Sequence, residues 1–219
     1  MRYSIIKPIT LIICCSVLLI AHAQKGAANK FKVIAFFTAK QDPAHISFVH
    51  EANQWFPEMA VKYHFTYDST NNWNNLNDSF LRDYQVVIFL DTRPDSLPQR
   101  IAFEKYMKGG GAWMGFHFSA FALTPSAYPQ NWDWYHNEFL GAGEYKSNTW
   151  RPTSAILRVE DSKHPATRHL ATTFKAAPNE WYCWQKDLRA DPNIKILASI
   201  DTSTFSHSFS KAGKVPFFP

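Results

Sequence analysis

The chain has 219 residues, 46% of them hydrophobic, 16% aromatic and 19% charged, with a formal charge of +5. This length and apolar content suit one domain with its own core, and exclude disorder, a coiled coil, collagen-like sequence and a small disulfide scaffold. The mild charge comes partly from the extreme N-terminus, and the absence of a Lys/Arg cluster beyond it predicts no nucleic-acid partner.

Residues 1–23 read as a secretory signal. Arg2 and Lys7 make a positive start, 9–20 is almost unbroken apolar sequence, and Ala21-His22-Ala23 has the form of a cleavage site. An uncleaved anchor is the competing reading, but the apolar run is shorter than the ~20 residues a spanning helix needs. The expectation is therefore a secreted or periplasmic protein without a stable membrane span after cleavage. Cys14 and Cys15 leave with the signal, and the remaining Cys183 cannot form an intrachain disulfide.

Residues 24–30 form a short polar leader, and 31–219 a single domain. Phe31-Lys32-Val33-Ile34-Ala35-Phe36-Phe37 is too continuously apolar for a half-exposed strand and reads as a buried one. A helix over 44–55 enters through Asp42-Pro43, a capping acid followed by a first-turn proline. Alternation over 61–66 predicts a second, more exposed strand. The Asx-rich stretch 68–77 reads as a loop, 78–82 as a short helix and 84–90 as a β-branched and aromatic strand.

Ser96-Leu97-Pro98 opens a helix that runs to Lys108 and ends at Gly109-Gly110-Gly111, where glycine accepts the left-handed conformation. The segment 112–117 is the next buried strand. A long aromatic region follows to Trp150 with a helix over 133–140, and later strands are predicted at 155–159 and 194–200. Alternating strands and helices from 31 to about 120 predict a parallel sheet covered on both faces. Ligands of such sheets sit beyond the C-terminal strand ends, here just after Phe37, Leu90 and His117.

Gly115-Phe116-His117-Phe118-Ser119 has the small-x-X-x-small shape of a strand-to-helix elbow. Hydrolases and amidotransferases place Ser or Cys at its centre, whereas this chain has histidine. An imidazole there acts as acid, base or metal ligand, or simply hydrogen-bonds a neighbouring loop. Asp91 falls at the same sheet edge and either binds ligand hydroxyls or caps a turn. His45 and His50 are spaced onto different helical faces. With no His-Glu-x-x-His or Cys-x-x-Cys, no local metal site is predicted, and the absence of a P-loop or dinucleotide fingerprint leaves any cofactor unidentified.

Glu180-Trp181-Tyr182 sets a carboxylate beside two aromatics, and Trp132, Trp134, Tyr135 and Trp150 add further flat faces. Rings beside Asp, Asn and Glu suit a small-molecule carbohydrate, although any one such ring taken alone is more often part of a core. Asp91, Trp134, Trp181 and Tyr182 are therefore the candidate substrate-binding residues.

Two segments carry a family resemblance: Tyr84-Gln85-Val86-Val87-Ile88-Phe89-Leu90-Asp91-Thr92, and 102–117, ending in Gly109-Gly110-Gly111-Ala112-Trp113-Met114-Gly115-Phe116-His117. Weaker matches are Ala44-His45-Ile46-Ser47, Asp133-Trp134-Tyr135, His164-Pro165-Ala166-Thr167 and Asn179-Glu180-Trp181-Tyr182. With them the chain resembles the ThuA-like (trehalose utilisation) family of class I glutamine amidotransferase-like fold. The resemblance implies a flavodoxin-like α/β three-layer sandwich with a mostly parallel central sheet. It also implies His117 in place of the amidotransferase cysteine, so no glutaminase activity, and a role in sugar or glycoside utilisation. His117, Glu180 and His45 match the family's polar positions and are the candidate catalytic residues.

Two departures accompany the resemblance. Phe118-Ser119-Ala120-Phe121 replaces the small residues and acid usual after the histidine. The chain also stops at Pro219, before the family's further strands, which implies a truncated member. The alternatives to a sugar-processing enzyme are a non-catalytic carbohydrate-binding protein and a degraded paralogue.

Overall fold

The apolar run at the start of the domain becomes β1 (Lys32–Phe36), with every residue after Lys32 buried. The structure, a computed structural model, describes residues 30–124, 130–149, 151–205 and 209–211. The signal reading at 1–23, the polar leader to residue 29, Trp150 and 212–219 lie outside the described residues.

α1 (Pro43–Tyr63) follows, then β2 (Thr66–Thr70), α2 (Asp78–Leu81), β3 (Val86–Phe89), α3 (Leu97–Lys108) and β4 (Ala112–Gly115). The four strands pair in parallel in the order β2-β1-β3-β4. Their alternation splits the core in two. Val33, Ala35, Ile88 and Leu90 face Val49 and Ala52 of α1, while Ile34, Phe36, Val87 and Phe89 face Leu81, Phe103 of α3, Trp132 and Tyr135. This is the predicted three-layer α/β sandwich of flavodoxin-like type.

Helix entries follow the sequence signals. Asp42 accepts a hydrogen bond from the Ala44 N–H at 2.7 Å, and Ser96 with Gln99 forms a capping box before Pro98. Gly110, at φ +90°, makes the left-handed exit from α3.

The predicted strand at 61–66 is corrected. α1 continues past Trp55 and through Pro57 to Tyr63, ending on His64 at φ +58° with its N–H on the Ala60 carbonyl. Val49, Ala52 and Ala60 keep a helical stripe against the sheet. Val61 and Tyr63, which made the strand-like alternation, are 79% and 55% exposed. The strand itself begins at Thr66.

The predicted helix at 133–140 is a π-helical segment, Trp134–Phe139. Beyond it come β5 (Tyr145–Thr149), β6 (Ile156–Val159), β7 (Thr173–Lys175), β8 (Tyr182–Trp184), β9 (Ala198–Asp201) and β10 (Phe209–Lys211). They form two antiparallel sheets, β10-β5-β8 and β7-β6-β9. The strand predicted at 194–200 is thus shorter and later, at β9. Among the described residues no helix is long and apolar enough to cross a membrane.

Candidate functional site

β1, β3 and β4 are in register at their C-terminal ends, where Phe36 sits beside Phe89 and Phe89 beside Gly115. From β1 the chain runs outward to β2, then returns to β3 on the other side, so the β1–β3 rim is the topological switch point. His117 emerges beside it on a sharp turn. Phe116 is extended, at φ −120°, and His117 adopts φ +42°. The turn closes with Ser119 N–H donating to the Phe116 carbonyl at 3.0 Å. A Cβ on Gly115 would lie 2.1 Å from the Trp113 ring and 2.6 Å from Ser119 Oγ, and Ser119 is fully buried. Small residues on either side of the histidine are therefore a steric requirement.

The imidazole meets residues brought in by β8. His117 Nε2 is 2.7 Å from the Tyr182 hydroxyl and 3.3 Å from Glu180 Oε2, and the Tyr182 O–H donates to the same carboxylate oxygen. Burial, with Glu180 beside it, pushes the Tyr182 phenol well above its ordinary pKa, so the phenol keeps its proton. The hydrogen bond from His117, supported by Tyr182, holds Glu180 below the usual carboxylate range despite partial burial. A carboxylate only accepts and the phenol has one proton to give. The consistent arrangement is His117 Nε2–H donating to Tyr182 and Glu180.

His45 completes the group from the first turn of α1. Its ring meets that of His117 edge-on, with centroids 5.0 Å apart. Burial first, and then His117, lower its pKa, with Asp42, Asp91 and Glu180 acting in the opposite sense. The helix N-terminus adds to the disfavour for a cation. His45 is thus a neutral imidazole at neutral pH.

Chemically, this group can take a proton at one imidazole nitrogen and stabilise the resulting cation through a carboxylate on the other. The side chains of His117 and Glu180 are each 37% exposed, so a ligand can reach them. Among the described residues, no group of three or more His, Cys, Asp or Glu side chains is arranged to hold a metal ion.

An aromatic wall flanks the group. Pairing of β5 with β8 sets Tyr145 opposite Trp184 and Asn148 opposite Tyr182. Phe121 packs on Tyr145 at 4.9 Å and on Tyr182 at 6.2 Å, and Phe118 stacks on Phe121 at 5.0 Å. Further along the same segment, Leu123 and Thr124 line a cavity of about 430 Å³ with Asn131, Asp133, Asn137, Glu144 and Gln185.

The structure therefore brings His45, His117, Glu180 and Tyr182 together and gives the other candidates structural partners. Asp91 is 3% exposed, and its carboxylate accepts from Thr38 N–H at 2.8 Å, Thr38 Oγ1 at 2.8 Å and Ala39 N–H at 2.6 Å. It shapes the loop after β1. Trp134 packs on Phe139 and Trp132 against the α3 side of the core. Trp181 donates its indole N–H to the Thr153 carbonyl at 2.7 Å. His50 is exposed on α1. None of Phe118, Phe121, Tyr145 and Trp184 is among the candidate site residues read from the sequence, where Phe118 and Phe121 enter only as a departure from the family. The alternation Tyr182-x-Trp184 was the available signal for Trp184, whereas Phe121 reaches the wall only through the turn.

A family model described as ThuA, trehalose utilisation, matches residues 32–218. Among solved structures, a ThuA-like protein from Bacteroides uniformis is 31% identical with a TM-score of 0.72, covering 82% of this chain and 71% of its own. A ThuA-like protein from Parabacteroides merdae is 16% identical with a TM-score of 0.46, over 70% of this chain and 62% of its own. No curated protein matches.

Proposed function

Since the chain belongs to the ThuA (trehalose utilisation) family, we propose that it serves carbohydrate utilisation by processing a sugar or glycoside, with His117 as the acid/base. The observation that carries this reading is the left-handed turn presenting His117 to Tyr182 and Glu180 at the switch-point rim. In this role Nδ1 of His117 takes the proton from a sugar hydroxyl or an activated C–H, and Glu180 stabilises the imidazolium. His45, neutral and edge-on, serves as a second proton acceptor. The partly exposed rings of Phe118, Phe121 and Trp184 offer faces for sugar C–H groups. Imidazole in place of a cysteine thiolate supplies no thioester route, which argues against glutaminase chemistry. The apolar leader at 1–20 and the Ala-x-Ala that follows support export, with the protein working outside the cytoplasm or in a periplasm.

The test uses His117→Ala with a panel of glycosides, keto-sugars, monosaccharides and disaccharides. Turnover is expected to fall by about 10²–10⁴-fold, while calorimetry still registers sugar binding. Undiminished turnover in the variant would reject the acid/base assignment. Binding without turnover in the native protein would replace it with a carbohydrate-binding role. Absence of both would leave neither reading standing.

A further inference from the structure

Backbone strain of the kind seen at His117 persists only where its surroundings over-determine it. Gly115 and Ser119 supply the steric part, and a buried cation supplies the polar part. Arg93, four residues beyond β3, is 1% exposed. A guanidinium stays charged in proteins, so its burial is costly unless its N–H groups find acceptors. Arg93 Nη1 donates to the Phe118 carbonyl at 3.2 Å. Nε donates to the Gln130 carbonyl at 2.9 Å, and Nη2 donates to the same oxygen. Phe118 directly follows His117 and also accepts the Phe121 N–H at 3.1 Å within the turn. One guanidinium thus ties the turn that presents the imidazole to the segment entering the π-helical stretch.

Stability alone does not account for this choice of side chain. A well-packed apolar residue of similar volume commonly stabilises a buried position as well as a charged one does. What the guanidinium adds is direction, through a planar fork that fixes two carbonyls relative to each other.

We propose that Arg93 is a positioning residue of the site, clamping the Phe118 carbonyl and so holding His117 in the left-handed conformation that aims its imidazole at Tyr182 and Glu180. The proposal rests on the reading of His117 as the reactive group, but its structural content can be tested without a sugar. Substitution by lysine keeps the charge and loses the fork, and substitution by methionine keeps the apolar stem and loses every donor.

The experiment compares the full native chain with Arg93→Lys and Arg93→Met. Carbethoxylation of each histidine by diethyl pyrocarbonate is quantified by mass spectrometry, with exposed His50 as the internal reference and thermal melting followed in parallel. Release of the clamp frees the ring from Tyr182 and Glu180, so the proton is no longer held on Nε2 and both nitrogens become open to the reagent. The His117-to-His50 labelling ratio is therefore expected to rise several-fold in both variants. If Arg93→Met does not fold, Arg93→Lys decides by the same ratio. For any sugar the native protein turns over, Arg93→Lys is expected to lower kcat by about 10²-fold at near-constant KM, the cost of a misplaced reacting group. A lowered melting temperature with an unchanged labelling ratio would reduce Arg93 to a packing role and overturn the proposal. A raised ratio in a protein that turns over no sugar would leave the clamp intact and remove the acid/base function.

Discussion

The positive φ of His117 costs a residue with a Cβ about 1–3 kcal/mol, and the residues around it are chosen to sustain that cost. Gly115 is the most exacting of them, because any side chain would press on the Trp113 ring, itself held edge-on against Phe89, Tyr135 and Phe139. Gly115→Ala is therefore expected to destabilise the protein by about 1–3 kcal/mol, the usual cost of overpacking. Urea unfolding monitored by tryptophan fluorescence measures this directly, and an unchanged midpoint would show that the elbow has slack. The sequence made this feature legible, since small residues two places either side of a central histidine have few other uses. It hid the role of Asp91, because an acid after a strand looks the same whether it faces a ligand or the loop of the neighbouring strand. The buried contacts with Thr38 and Ala39 decide the matter, and they join residues 52 or more positions apart.

At the scale of elements, the π-helical segment Trp134–Phe139 carries a group with a clear pH signature. His136 is 1% exposed, with Nδ1 2.8 Å from the Trp132 carbonyl and Nε2 3.2 Å from the Phe121 carbonyl. Burial, with Arg93 and Arg100 nearby, pushes its pKa down to about 4 against the pull of the two carbonyls. The folded value lies below the unfolded one, so the stabilisation is complete above about pH 6.5 and is lost as pH falls towards 4. The loss amounts to something on the order of 3 kcal/mol, and His45, also lowered by burial, contributes with the same sign. Melting temperatures between pH 7 and 4 should fall steeply in the native protein and more gently in His136→Gln. Parallel slopes would place the acid sensitivity elsewhere. Element boundaries were legible where caps marked them, as at Asp42 and Ser96. They were not legible at the end of α1, where Pro57 lies inside the helix and exposed Val61 and Tyr63 imitate a strand. Trp134 was equally ambiguous, since an aromatic in a core and one in a sugar cleft have the same local sequence.

For the molecule as a whole, the site is an assembly of distant pieces. α1 brings His45, the rim of the parallel sheet brings His117, and the antiparallel β5–β8 pair brings Glu180 and Tyr182 from more than sixty residues along the chain. A parallel sheet covered on both faces was readable from the alternating strands and helices, whereas the strand order was not, and β4, read as a buried strand over 112–117, is a partly exposed edge strand. Docking of the antiparallel sheet against the Phe118–Phe121 turn depends on cross-strand pairing and aromatic contacts that no local pattern announces. Groups that work as one unit show strong non-additivity. The most direct measurement is accordingly a double-mutant cycle on sugar turnover, with His117→Ala, Glu180→Gln and the pair combined. If the carboxylate acts through the imidazole, the double variant should be scarcely slower than His117→Ala alone. Losses that multiply independently would contradict the unit and separate Glu180 from the chemistry of His117.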